Sequence, residues 1–105
     1  MGKNETLREL ANILAKALRH KIGSIVNLNE IYAKKYSKDA DILMKEAVKV
    51  SLRENWNNYD KIKIKNELAK KLKEELKKKE FLGEEKFDVM DAEIGKALRF
   101  LNLSI

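Results

Sequence analysis

The chain has 105 residues, a net charge of +6 and a composition of 38% charged, 44% hydrophobic and 7% aromatic residues. This length predicts a single domain over residues 1–105, and the absence of cysteine excludes disulfides, thiolate metal sites and a cysteine nucleophile. No apolar run reaches the roughly 18 residues of a membrane span, and the N-terminus lacks the apolar stretch of a signal peptide, so we expect a cytoplasmic protein with no membrane partner.

The first predicted helix runs from about Leu7 to Ile22. Thr6 and Glu9 have the spacing of a capping box, in which each side chain accepts a hydrogen bond from the other residue's backbone N–H. Gly23 is the expected end, because glycine adopts a left-handed conformation at low cost. His20 would then lie in the last turn, where positive charge is stabilised. The apolar residues follow at helical spacing, namely Leu7, Leu10, Ala11, Leu14, Ala17, Leu18 and Ile22.

Two further helices are predicted before residue 53, with a boundary at Ser37. Asn27 is the expected cap of a short helix with Leu28, Ile31, Tyr32 and Tyr36 on its apolar side. Ser37 precedes two aspartates, which is typical of a new helix start. The stretch Ala40–Leu52 is apolar on most of its circumference, a pattern typical of a helix surrounded by other helices. We therefore predict that Ala40–Leu52 is the buried central helix.

The next segment contains an ambiguity between strand and helix. Three asparagines around Trp56 indicate a turn. Asp60–Lys65 alternates apolar and charged residues as a strand does, but its isoleucines also share a helical face with Leu68, Ala69, Leu72 and Leu76. Because a lone short strand would have no partner, we favour a helix from Tyr59 to about Glu80, with Asn58 as its cap.

The last predicted helix follows a short linker. Phe81, Leu82 and Gly83 end the preceding helix, and Asp88 is the expected cap of the final one, whose apolar face contains Met90, Ile94, Ala97, Leu98 and Leu101. The predicted fold class is therefore all-α. It is a single-domain orthogonal bundle of about five helices around Ala40–Leu52.

We expect neither an enzyme nor a cofactor or metal site. His20 is the single histidine and has no glycine-rich phosphate loop near it. Catalytic carboxylates need a pocket that raises the pKa of one of them, whereas the pairs Glu74–Glu75 and Glu84–Glu85 fall on exposed or linker positions.

The basic charge predicts a polyanionic partner, DNA or RNA. Many lysines of the helix near residues 59–80 follow a glutamate by four residues and can pair with it, namely Lys71 with Glu67, Lys78 with Glu74 and Lys79 with Glu75. Three others have no such partner and recur every seven residues, namely Lys63, Lys70 and Lys77. A second basic face on the first helix comprises Arg8, Lys16 and Arg19. Whether the two faces adjoin is left open.

Three alternatives compete with that interpretation. A helix-turn-helix over Leu28–Leu52 would place Lys38, Asp39, Asp41 and Lys45 at base edges, which the aspartates disfavour. Trp56 is either a stacking platform for a base or an anchor between helices. Val89 and Phe100 flank the apolar face of the last helix, so the chain is alternatively a homodimer or a subunit with a heteromeric protein partner.

Overall fold

Five α-helices form the fold in the computed structural model, which describes residues 2–27 and 29–105 (for Phe81, the backbone only). A 3-10 turn spans Glu80–Leu82, and the described residues contain no strand. The all-α prediction with five helices is confirmed. The helices are α1 (Lys3–Val26), α2 (Glu30–Ser51), α3 (Asn58–Lys77), α4 (Glu85–Asp88) and α5 (Met90–Phe100).

The central helix is α1 rather than the predicted Ala40–Leu52 segment. Ten residues of α1 are buried, against four in α2. Ile42 and Leu52, two apolar residues of that segment that a central helix would bury, are 53% and 78% exposed. Helix α1 is the buried one because its leucines and alanines cover a broad part of its surface. Other helices can therefore pack against it on more than one side.

The three long helices run lengthwise instead of crossing orthogonally as predicted. The molecule measures 40 × 22 × 22 Å. The shortest of the three, α3, has 20 residues and is about 30 Å long, so none of them fits across a short dimension. Helix α1 packs against both α2 and α3.

Helix α2 is continuous through Ser37, so the predicted boundary is wrong and the helix-turn-helix does not form. Its cap is Asn29, whose side chain accepts from the N–H groups of Ile31 and Tyr32, while the Asn27 side chain accepts from the Asn29 N–H. Serine lowers helix propensity much less than glycine or proline does, so Ser37 does not by itself end the helix. Leu28, which was predicted to lie on the apolar side of the shorter helix, falls outside the described residues.

Both predicted ends of α1 are also wrong. The helix begins at Lys3, so Thr6 is not a cap, and its hydroxyl donates instead to Glu54 at 3.2 Å. Glu9 forms an ion pair with Arg53 at 2.9 Å. Gly23 is helical and buried, and a Cβ atom at this position would lie only 2.9 Å from the ring of Tyr36.

The ambiguous Asp60–Lys65 segment is helical, as favoured. The cap is Asn57 rather than Asn58, and it forms a capping box with Asp60. Helix α3 ends at Lys77, three residues earlier than expected. Gly83 follows the 3-10 turn and adopts a φ of 72°, a left-handed value that favours glycine.

The C-terminal helix has the predicted apolar face, since Ile94, Ala97 and Leu98 are buried. Asp88 ends α4 and does not cap α5. Beyond α5, Asn102 has a φ of 59°, and the N–H of Leu103 donates to Leu98 at 2.7 Å. This Schellman-type ending brings Leu103 into the core.

Candidate nucleic-acid interface

A groove between α1 and α3 brings together Arg8 from one predicted basic face and Lys63 and Lys70 from the other, whereas Lys16, Arg19 and Lys77 are not among the residues that line it. Its volume is about 380 Å³, and it is lined by Asn4, Leu7, Arg8, Lys63, Asn66, Glu67 and Lys70. Three cations therefore face one carboxylate. The amides of Asn4 and Asn66, which sequence analysis did not select, add hydrogen-bond donors of the kind that phosphates accept. We call this surface the α1–α3 groove.

Two ion pairs set the register of α1 against α3. The Lys3 ammonium contacts Asp60 at 2.6 Å near the start of both helices. Farther along, Arg19 contacts Glu75 at 3.2 Å. The residue numbers of both partners increase in the same direction, so the two helices run parallel and Arg8 lies beside the Lys63–Lys70 segment.

The acid of the first pair has a perturbed pKa. The hydrogen bond from Lys3 lowers the pKa of Asp60 below its ordinary value of 3.8, and the backbone N–H of Asn57 lowers it further. Asp60 therefore links the cap of α3 to the first residue of α1.

Most of the predicted phosphate ligands are exposed and carry no ion pair within the described part of the chain, namely Arg8, Lys16, Lys63, Lys70 and Lys77. Arg19 differs, because its guanidinium is engaged by Glu75 and its side chain is only 24% exposed. Arg19 is thus a structural link between helices as well as a cation at the edge of the surface.

The predicted ion pairs between glutamates and lysines four residues apart on α3 are not formed among the described residues. Glu75 turns to Arg19 instead of Lys79, which lies beyond the end of α3. Within the described residues, Lys71 and Lys78 therefore also lack a carboxylate partner, so the pairs counted from sequence spacing underestimated the number of unpaired lysines.

Of the two roles considered for Trp56, a stacking platform for a base or an anchor between helices, its contacts are those of an anchor. It packs against the hydrophobic core, and its indole N–H donates to the Ser51 carbonyl at 2.8 Å. The Lys3 ammonium lies 5.6 Å from the ring centroid. These contacts occupy the ring and leave it poorly placed to accept a base.

A second aromatic residue, Tyr59, lies beside the cations. Its side chain is 66% exposed, and the Lys63 ammonium lies 4.9 Å from the centroid of its ring. The sequence did contain the signal, because Tyr59 precedes Lys63 by four residues and so shares its face of a helix. Sequence analysis missed it by treating Tyr59 only as the start of α3.

His20 is not in the last turn of α1, since the helix continues to Val26. Its Nδ1 lies 2.8 Å from the Lys16 carbonyl, and its ring meets Tyr36 edge-on. Nε2 is 3.9 Å from Asp39. His20 thus joins α1 to α2. Across residues 2–27 and 29–105 no three histidine or acidic side chains converge on a metal site.

An apolar surface lies away from the α1–α3 groove, between α2 and α5. Phe100 is 67% exposed and lines two adjoining grooves of about 350 and 260 Å³ together with Asp41 and Met44. Val89, the other residue predicted to reach a partner, packs against the core instead.

No protein-family model, curated protein or solved structure matches the chain. In the described residues, no helix is both long and apolar enough to cross a membrane. The function must therefore be inferred from the residues themselves.

Proposed function

We propose that this protein is a non-enzymatic nucleic-acid-binding protein that contacts the phosphate backbone of DNA or RNA through the α1–α3 groove. One observation carries the proposal. Arg8 on α1 lines the same groove as Lys63 and Lys70 on α3, although Arg8 is more than fifty residues from either lysine in sequence.

The form of the surface suits a polyanion better than a small anion. From Lys63 to Lys77 the basic residues of α3 extend for about 21 Å at roughly 1.5 Å per residue, and Lys16 lies exposed on neighbouring α1. Each cation in a linear, exposed array can replace one counterion along a nucleic-acid backbone. A small anion would contact one or two of them.

Binding driven by this array must depend on salt. If Arg8, Lys63 and Lys70 each neutralise one phosphate, the logarithm of the affinity for duplex DNA falls with the logarithm of salt with a slope of about −3, at roughly −0.9 per phosphate. Lys16 and Lys77 would steepen the slope when they also take part.

Fluorescence anisotropy with labelled single-stranded DNA, duplex DNA and RNA tests the proposal over about 50 to 200 mM salt. The triple variant R8Q/K63Q/K70Q should lose at least about ten-fold in affinity at low salt and most of the slope. The control variant K34Q/K35Q/K49Q removes the same charge from exposed positions on α2 and should change binding much less.

Two results would overturn the proposal. One is affinity weaker than millimolar at low salt for all three probes. The other is an equal loss in the two triple variants, which would mean that net charge attracts the probes and the groove contributes nothing of its own.

A second candidate function is self-association through the surface between α2 and α5. The exposed Phe100 ring, with a groove on either side, can enter a groove of a second copy in a two-fold contact. Asp41 and Lys45 line the same groove, so such a contact can pair each with its opposite charge. The occupant that we propose is therefore another copy of this chain.

Light scattering tests this second candidate. The wild-type protein should form a dimer that F100S converts to a monomer, while I31S, a change at another exposed apolar position of α2, leaves the dimer intact. A wild-type monomer at high concentration would exclude it.

The two candidates use different surfaces and are compatible. A nucleic-acid partner also implies an intracellular location, and the cytoplasm remains our prediction. Cell fractionation with a specific antibody would check it.

A further inference from the structure

We infer that the α1–α3 groove is built for single-stranded nucleic acid, and that Tyr59 stacks on an unpaired base beside it. This inference rests on the proposed function. It adds a ligand class and a binding residue that phosphate contacts alone do not specify.

Tyr59 and the groove cations share one stripe of α3. At about 100° per residue, positions 59, 63, 66, 70 and 77 fall within a sector of roughly 60°. The residues at these positions are Tyr59, Lys63, Asn66, Lys70 and Lys77, and all five are exposed. A strand that follows the lysines therefore meets the aromatic ring at the end of the same stripe.

The side chain of Tyr59 is accessible to a ligand. It does not belong to the core or to the side chains packed against it. The ammonium of Lys63 lies over the ring, 4.9 Å from its centroid, and the residue as a whole is 66% exposed. A base stacked there would have a cation close by for its own phosphate.

An exposed ring of this kind discriminates between nucleic-acid forms. In a duplex the faces of the bases are stacked on each other, and only their edges and the phosphates are accessible. In a single strand each base has an accessible face for stacking, and the contact is tolerant of sequence. The stripe thus predicts a preference for single strands without a preference for one base sequence.

The experiment compares three probes that differ in what they offer to Tyr59. From Tyr59 to Lys77 the stripe is about 27 Å long at roughly 1.5 Å per residue, a distance that about eight stacked nucleotides span at roughly 3.4 Å each. We would use oligothymidine of about twelve nucleotides, an abasic strand of the same length, and the corresponding duplex.

The expected results separate stacking from phosphate binding. Y59A should weaken oligothymidine binding by about ten-fold or more, the usual effect of losing one aromatic stacking contact, and should leave the abasic strand and the duplex nearly unchanged. Y59F should retain tight binding. Y32A, which removes another exposed tyrosine on α2, should have no effect on any probe, and circular dichroism should show that all variants are folded.

The failure of this inference can be distinguished from the failure of the proposed function. If the wild-type protein binds all three probes with a normal salt slope but Y59A affects them equally or not at all, the role of Tyr59 is overturned and the proposed function stands. If the wild-type protein binds none of them at low salt, both the proposed function and this inference are overturned.

Discussion

Gly23 on α1 lies against the ring of Tyr36 on α2, so that a Cβ atom at position 23 would be only 2.9 Å from Cδ2 of the tyrosine. We expect G23A to lower the free energy of unfolding by about 1 kcal/mol. Overpacking costs about 1–3 kcal/mol, and the better helix propensity of alanine returns about 1 kcal/mol. Urea unfolding measures the difference.

A double-mutant cycle isolates the cause. In a Y36A background the ring is gone, so that G23A should become neutral or stabilising. Additive effects of the two substitutions would show that the loss in G23A does not come from this contact.

Gly95 provides the opposite case on α5. The atoms nearest to a Cβ at this position would be those of the Arg99 guanidinium, the closest at 3.3 Å, and this flexible group can move away. G95A should therefore raise the free energy of unfolding by up to about 1 kcal/mol. A loss of stability in the same urea experiment would mean that Arg99 is fixed in place.

Asp60 should make stability depend on pH at the acid end. Its pKa is lowered in the folded protein by Lys3 and by the Asn57 N–H. The stability that it contributes is thus present above its ordinary pKa of 3.8 and is lost as the pH falls through the lower folded value. We expect the stability difference between the wild-type protein and D60N to be greatest near neutral pH and to shrink as the pH falls below the ordinary pKa of 3.8.

The variant K3M supplies the control for that titration. It removes the first cause of the shift, so the acid loss of stability should move towards the ordinary pKa of aspartate. A gap between the wild-type protein and D60N that stays constant from neutral to acid pH would contradict the linkage.

Glu67 is the carboxylate within the α1–α3 groove. In the proposed function it repels phosphate, so E67Q should tighten oligonucleotide binding by a few-fold at low salt, since two exposed charges in contact interact by on the order of 1 kcal/mol in water. The gain should shrink as salt rises. E46Q on α2 is the matched control, and equal gains in both variants would indicate a general charge effect.

The all-α class and the helical nature of Asp60–Lys65 could be predicted, because Ile64, Leu68, Leu72 and Leu76 repeat at helical spacing. The boundary at Ser37 was misplaced because a serine followed by acids caps a helix only where its own backbone is non-helical, and Ser37 lies inside α2. A seven-residue repeat of alanines crosses that point and was the better signal for one continuous helix, namely Ala33, Ala40 and Ala47.

The three cations that line the α1–α3 groove were selected from the sequence, but their meeting in one groove was not predicted. The spacing of Lys63, Lys70 and Lys77 identified one cationic stripe, and Arg8 another. Their meeting depends on the parallel packing of α1 and α3, which no local pattern encodes. The ion pair between Arg19 and Glu75 was missed for the same reason. It joins two segments that are distant in sequence, and Glu75 forms it instead of the predicted pair within α3.

The contact between Lys3 and Asp60 shows that α1 and α3 begin at the same end of the molecule. Their macrodipoles therefore point the same way, and each places about half a positive charge at that end. The helix dipoles consequently make the electrostatic potential of the groove more positive at that end, in addition to the charges of its side chains. In the proposed function, a bound strand would therefore be held more tightly near Asn4 and Lys63 than near Lys77.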